Sequence, residues 1–131
     1  MRKKKILLVD PDLQLLTYAL GSLREAGYDV ISESDATKAM VLAGRWCPHL
    51  VIAPSRTLVA WQQEDPEGLQ ALPPGSALLV TAQADEPDQL WRNWVDQGHE
   101  ILLKPIVHYH ELHAAIESAM KATPKQQNPS A

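Results

Sequence analysis

A chain of 131 residues, 45% apolar and 21% charged, has the length and composition of one globular domain. Its formal charge of −4 argues against nucleic acid as the main partner, and the apolar run behind its basic start is too short for a signal peptide or a membrane span. Its single cysteine, Cys47, excludes an internal disulfide, which suits a reducing cytoplasm.

The basic cluster Arg2-Lys3-Lys4-Lys5 reads as a solvated lead-in to a first strand. Ile6-Leu7-Leu8-Val9 follows, apolar without alternation, and runs into Asp10. Such a run predicts a strand buried on both faces, at the centre of a parallel sheet covered by helices on both sides. Asp10-Pro11-Asp12 predicts a helix start, with an acidic cap and proline in the first turn. Leu13, Leu16, Ala19, Leu20 and Leu23 carry its apolar stripe, and Gly27 ends it. Residues 28–32 predict a second strand. Asp35 caps a second helix that carries Ala39, Met40, Leu42 and Ala43 and ends by Pro48. Cys47, between Trp46 and Pro48 and without a CxxC partner, is expected as a buried structural thiol. Residues 49–53 predict a third strand, apolar from Leu50 onward.

The pattern weakens after Pro54, and residues 55–63 show no clean period. Asp65-Pro66-Glu67 predicts the cap of a short helix through Leu69 and Leu72, and Pro73-Pro74-Gly75 is a break. Residues 77–81 predict a fourth buried strand. Asp85, Glu86 and Pro87 start another helix, with Leu90, Trp91, Trp94 and Val95 on one stripe and Gly98 at its end. Ile101-Leu102-Leu103 predicts a fifth strand, closed by Lys104-Pro105. Tyr109, Leu112, Ala115, Ile116 and Ala119 mark the last helix. From Thr123 the chain is polar and reads as a disordered tail or linker stub. The predicted organisation is one domain over residues 1–122 and a tail over 123–131.

Five strands alternating with helices predict an α/β, doubly wound parallel sheet with right-handed crossovers. The carboxyl ends of its strands would bring Asp10, Pro54, Thr81 and Lys104 to one crevice, the edge where such sheets bind ligands. A carboxylate, a hydroxyl and an ammonium there suit a phosphoryl group with a cation. No glycine-rich loop follows the first strand, which argues against a dinucleotide or P-loop site.

Val9-Asp10 after an apolar strand, Leu79-Val80-Thr81-Ala82 and Leu103-Lys104-Pro105 resemble the receiver domain of bacterial two-component response regulators. The resemblance covers about residues 4–120. It implies a flavodoxin-like five-stranded sheet of order 2-1-3-4-5. It also implies a cytoplasmic signalling role, in which a histidine kinase phosphorylates an aspartate ending strand three and acids after strand one hold Mg²⁺. Against that pattern, Pro54 stands at the phospho-acceptor position, Pro11 at the second metal-binding acid, and Ile101 at the aromatic switch position. The Met-Pro and Asp-Gly signature after the acceptor is absent from residues 55–65. Asp10, Asp12, Thr81, Lys104 and Pro105 remain as a remnant pocket. The expectation is a pseudo-receiver, not an enzyme, with no cofactor and no metal beyond weak Mg²⁺ binding at Asp10. Its partners would be signalling proteins, or a second copy through the face of the fourth helix, fifth strand and fifth helix.

Plainer roles are available to each of these residues. Asp10 and Lys104 suit a structural ion pair, and Thr81 suits the satisfaction of backbone groups at a strand end. His108, His110 and His113 suggest a metal, but no further ligand completes a shell, so solvent-exposed histidines are expected. Trp91 and Trp94 are expected in the core, with part of one ring available to a partner. Ser55 lies beside the lost acceptor, with nothing to activate it. Two other functions compete. One is a working receiver with a different acceptor, for which Asp65 lies too far along the chain. The other is a phosphatase: Asp10-Pro11-Asp12, Thr81 and Lys104 also resemble the first three motifs of haloacid dehalogenase-like enzymes. No aspartate follows Asp96 to supply their last acidic motif, and there is no cap domain.

Overall fold

Alternate residues of a strand point to opposite faces, so an unbroken apolar run needs cover on both sides. A computed structural model, which describes residues 3–64, 76–83, 85, 87, 91–104 and 109–121, shows how that cover is supplied. The elements are β1 (Lys5–Val9), α1 (Leu13–Glu25), β2 (Asp29–Glu33), α2 (Ala36–Trp46), β3 (Leu50–Pro54), α3 (Ser55–Glu64), β4 (Ala77–Gln83), α4 (Arg92–Asp96), β5 (Glu100–Lys104) and α5 (Tyr109–Lys121). The strands form one parallel sheet in the order β2-β1-β3-β4-β5, the flavodoxin-like order expected.

Ile6 and Leu8 of β1, with Leu50, Ile52 and Leu79, form one core with the buried faces of α1 and α5. Leu7 and Val9, with Val51, Leu78 and Val80, form the other with α2, α3 and α4. Acidic caps start two helices. Asp12 accepts from the N–H groups of Gln14 (3.0 Å) and Leu15 (3.3 Å), and Asp35 from that of Lys38 (2.9 Å). Gly27 at φ 97° and Gly98 at φ 94° turn the chain after α1 and α4, a backbone that favours glycine.

Several expectations are corrected. Pro11 lies outside α1 because Asp12 is the cap, and Leu13, the first helical residue, is 65% exposed while Leu16, Ala19 and Leu23 are buried. β2, β3, β4 and β5 run one or two residues beyond the predicted ends. Pro54 and Lys104 are therefore the last residues of β3 and β5, and Thr81 lies inside β4. The weakly patterned residues after Pro54 form α3, which buries Leu58 and Trp61 one turn apart. The Trp61 indole N–H donates to the Ala36 carbonyl (2.6 Å) and ties α3 to the start of α2. Val95 is exposed rather than on the buried stripe, Trp91 is half-buried, and Trp94 is in the core. Cys47 is exposed, because it caps α2 in the left-handed conformation (φ 52°) and leaves the helix face. The expected helix through Leu69 and Leu72, the Pro73-Pro74-Gly75 break and the tail lie outside the described residues.

The amino edge of the sheet is held by His49. Its backbone N–H donates to the Lys5 carbonyl (2.9 Å) and its carbonyl accepts from Ala77 N–H (2.8 Å). Its ring Nδ1 accepts from Lys5 N–H (2.9 Å). Of the basic lead-in, Lys3 and Lys4 are exposed, but Lys5 is half-buried, and its ammonium donates to the Trp46 carbonyl (2.8 Å) and lies 5.5 Å from the centre of the Trp46 ring. Burial, then the charges of Lys4 and Lys5, hold the His49 pKa below its usual 6.5. Burial does the same to His99, which packs against Trp94. The unfolded chain then binds protons that the folded one does not, so stability is lost as pH falls below about 6.5 and levels off below the folded pKa values. Denaturant midpoints measured from about pH 8 to about pH 5 should fall over that lower range, and His49→Gln should flatten part of the slope. An unchanged slope would mean that His49 keeps its ordinary affinity for a proton.

Candidate functional site

Parallel strands place all their carboxyl ends on one edge. Asp10 follows β1 there and is 2% exposed, although it is charged. Burial of a charge is tolerated when it is paired and hydrogen-bonded, and Asp10 is both. Its Oδ2 accepts from the Lys104 ammonium at 2.6 Å, and its Oδ1 accepts from Asp12 N–H at 2.8 Å. Lys104 ends β5, three places along the sheet from β1, and its side chain is 12% exposed. The expected structural ion pair is thus present.

Pro54 ends β3 between these groups, and in the β3–β4 register it faces Thr81. Proline offers neither a nucleophile nor an N–H. Thr81 is buried, and among the described residues its Oγ1 has no hydrogen-bond partner. It therefore does not play the backbone-satisfying part expected of it. Asp12 is exposed and committed as the α1 cap, and Pro11 is exposed beside it. Ile101 is half-buried on the side of Trp91 and Trp94. Ser55 is buried at the start of α3. Pro105 lies outside the described residues.

A resident Mg²⁺ needs an octahedral set of oxygens, usually with one or two carboxylates free to bind it. Here both Asp10 oxygens are engaged, one by an ammonium, and prolines stand at positions 11 and 54. This donor set does not fit Mg²⁺. Among the described residues, no three His, Cys, Asp or Glu side chains are grouped to hold a metal ion. His108 lies outside those residues, and His110 is exposed as expected. His113 departs from that expectation: it is half-buried, and its Nε2 lies 3.1 Å from Ser22 Oγ, joining α5 to α1. The i to i+4 spacing of Leu112 and Ile116 could have placed His113 at the flank of the buried stripe.

No protein-family model matches the chain, and no curated protein matches it. Solved structures do. A response regulator from Desulfuromonas acetoxidans is 21% identical with a TM-score of 0.68, over 90% of this chain and 97% of that one. The receiver domain of a LuxO repressor protein from Vibrio parahaemolyticus is 19% identical with a TM-score of 0.70, over 92% of each. The chemotaxis protein CheY4 of Vibrio cholerae is 16% identical with a TM-score of 0.68, over 90% of this chain and 99% of that one. The fold is that of a response-regulator receiver domain. On this receiver fold the Asp10–Lys104 pair occupies the carboxyl edge of the sheet.

Removing one partner of a buried pair leaves the other charge uncompensated, at a cost of about 3–5 kcal/mol. Lys104→Met should therefore destabilise the domain by about 3 kcal/mol. Adding Asp10→Asn, which keeps an acceptor for Asp12 N–H, should restore most of the loss. Equilibrium denaturation of the three proteins checks this, and additive losses would show that the two groups do not act as a pair.

Proposed function

We propose that this chain is a receiver-type signalling module that acts by protein contact and takes no phosphoryl group. The observation that carries the reading is Pro54, the last residue of β3, set opposite Thr81 at the ligand-binding edge. No nucleophile stands there, and the neighbouring carboxylate is held by Lys104 rather than free for a metal. In this reading the module has no catalytic residue and works in the cytoplasm beside its signalling partners. Among the described residues, no helix is long and apolar enough to cross a membrane.

The contact face is the one formed by α4, β5 and α5. β5 ends the sheet order, Val95 on α4 is 42% exposed, and Leu103 on β5 is 46% exposed. Exposed apolar side chains beside a sheet edge suit a protein surface, from another signalling protein or a second copy.

Incubation with acetyl phosphate and Mg²⁺ tests the reading by intact mass. The mass should not change. A phosphate adduct would overturn the proposal, and its position would name the acceptor of a working receiver. Restoring the acids offers a converse test. Pro54→Asp alone should bind Mg²⁺ weakly, whereas Pro11→Asp with Pro54→Asp should bind it clearly more tightly in a calorimetric titration. Acids are tolerated near a helix start, so the double variant should fold. Tight binding by the unaltered chain, or none by the double variant, would mean that the crevice lies elsewhere.

A further inference from the structure

We infer that a second pocket, at the amino edge of the sheet, binds a small oxyanion of the phosphate class. The cavity measures about 430 Å³ and is lined by Lys3, Lys5, Asp29, Cys47 and His49. Its volume falls in the range of small-molecule sites, about 300–1,000 Å³. It lies at the opposite end of the strands from Asp10, Pro54 and Lys104, so it is independent of the crevice and its chemistry.

The lining is rich in hydrogen-bond donors. The backbone N–H of Lys5 donates to His49 Nδ1, which can accept only when unprotonated. The neutral ring therefore carries its hydrogen on Nε2, which can donate. An ammonium has three N–H donors. Lys5 gives one to the Trp46 carbonyl and keeps two, while Lys3 is exposed. The Cys47 thiol lines the wall and is directed at the Gly44 carbonyl (3.8 Å). The one carboxylate in the lining is Asp29, which is exposed.

Two features oppose an anion here. The C-terminus of α2 points roughly half a negative charge at this edge, but Lys5 already meets it at Trp46. Asp29 contributes one negative charge against Lys3 and the nearby Lys4, whose charge His49 senses. A cation is the poorer occupant: His49, Cys47 and Asp29 are not grouped to hold a metal ion. Donors on Lys3, Lys5 and His49, with a positive excess, fit a ligand with several acceptor oxygens, as in a phosphate or pyrophosphate group.

The test is calorimetric titration of the full chain with sodium pyrophosphate, with sodium chloride at matched ionic strength as the reference. Saturable binding is expected. Pyrophosphate should also slow alkylation of Cys47 by iodoacetamide, read by intact mass, since Cys47 is the only thiol in the chain. Lys3→Gln should weaken binding by about fivefold, the scale of one exposed ion pair. Asp29→Asn should strengthen it by a similar factor, a gain that a purely structural role for this edge would not produce. Both side chains are exposed, so both variants should fold. Lys38→Gln, an exposed change at the start of α2, should leave binding as it is. Vesicles of phosphatidylcholine with phosphatidylglycerol should not bind the protein, because the ligand enters a pocket as a free molecule. The absence of saturable binding, binding to vesicles alone, or binding indifferent to Lys3→Gln and Asp29→Asn would each overturn the assignment.

Discussion

The architecture rests on one constraint: the central strands are apolar on both faces. β1, β3 and β4 each send side chains into two separate cores. Neither face can meet water, so helices must lie on both sides of the sheet. Strands joined through helices run parallel, and parallel strands end together. The meeting of Asp10, Pro54, Thr81 and Lys104 is therefore a result of where the apolar side chains go. The same packing collects the strand starts at the other edge, where His49 joins three strands.

The parts of the fold that were legible in the sequence are those with one dominant local cause. The unbroken run Ile6 to Val9, the cap Asp35, and the turn glycines Gly27 and Gly98 each answer to a single physical demand. α3 was not legible, because it buries fully only Leu58 and Trp61 of its apolar residues and turns Arg56, Gln62 and Gln63 outward. Two buried positions do not establish a period. Cys47 misled for another reason. Its neighbours Trp46 and Pro48 suggest an interior, but the left-handed backbone at a helix end carries the thiol out. Within the crevice, the motifs named its members, while the pairing of Asp10 with Lys104 depended on the sheet order. The lone Thr81 hydroxyl depended on burial, which the strand ends did not convey.

The crevice is electrostatically complete within the protein. Asp10 has an ammonium on one oxygen and a backbone N–H on the other, so its burial needs no added cation. Such a pair adds little net stability compared with an apolar substitute of similar size, but losing either half is costly. Asp10 and Lys104, in a crevice with prolines at positions 11 and 54, thus each serve to neutralise the other. A receiver fold also carries different chemistries according to the side chains placed on it. The exposed Val95 and Leu103 belong to a different surface, on α4 and β5.

The ion pair joins residues that are 94 positions apart. A chain made from its amino end therefore produces the buried carboxylate long before the ammonium that neutralises it. Until β5 is made, β1 can begin to pair with β2 and β3, but Asp10 must stay hydrated or take up a proton. Closing contacts between distant segments is slow because of the entropy of the intervening loop. The carboxyl edge is then sealed late in the nascent domain, with α5 still to follow. Ribosome-bound fragments that end before Lys104 would hold their central strand in a looser, wetter form, a substrate for chaperones until the final strand arrives.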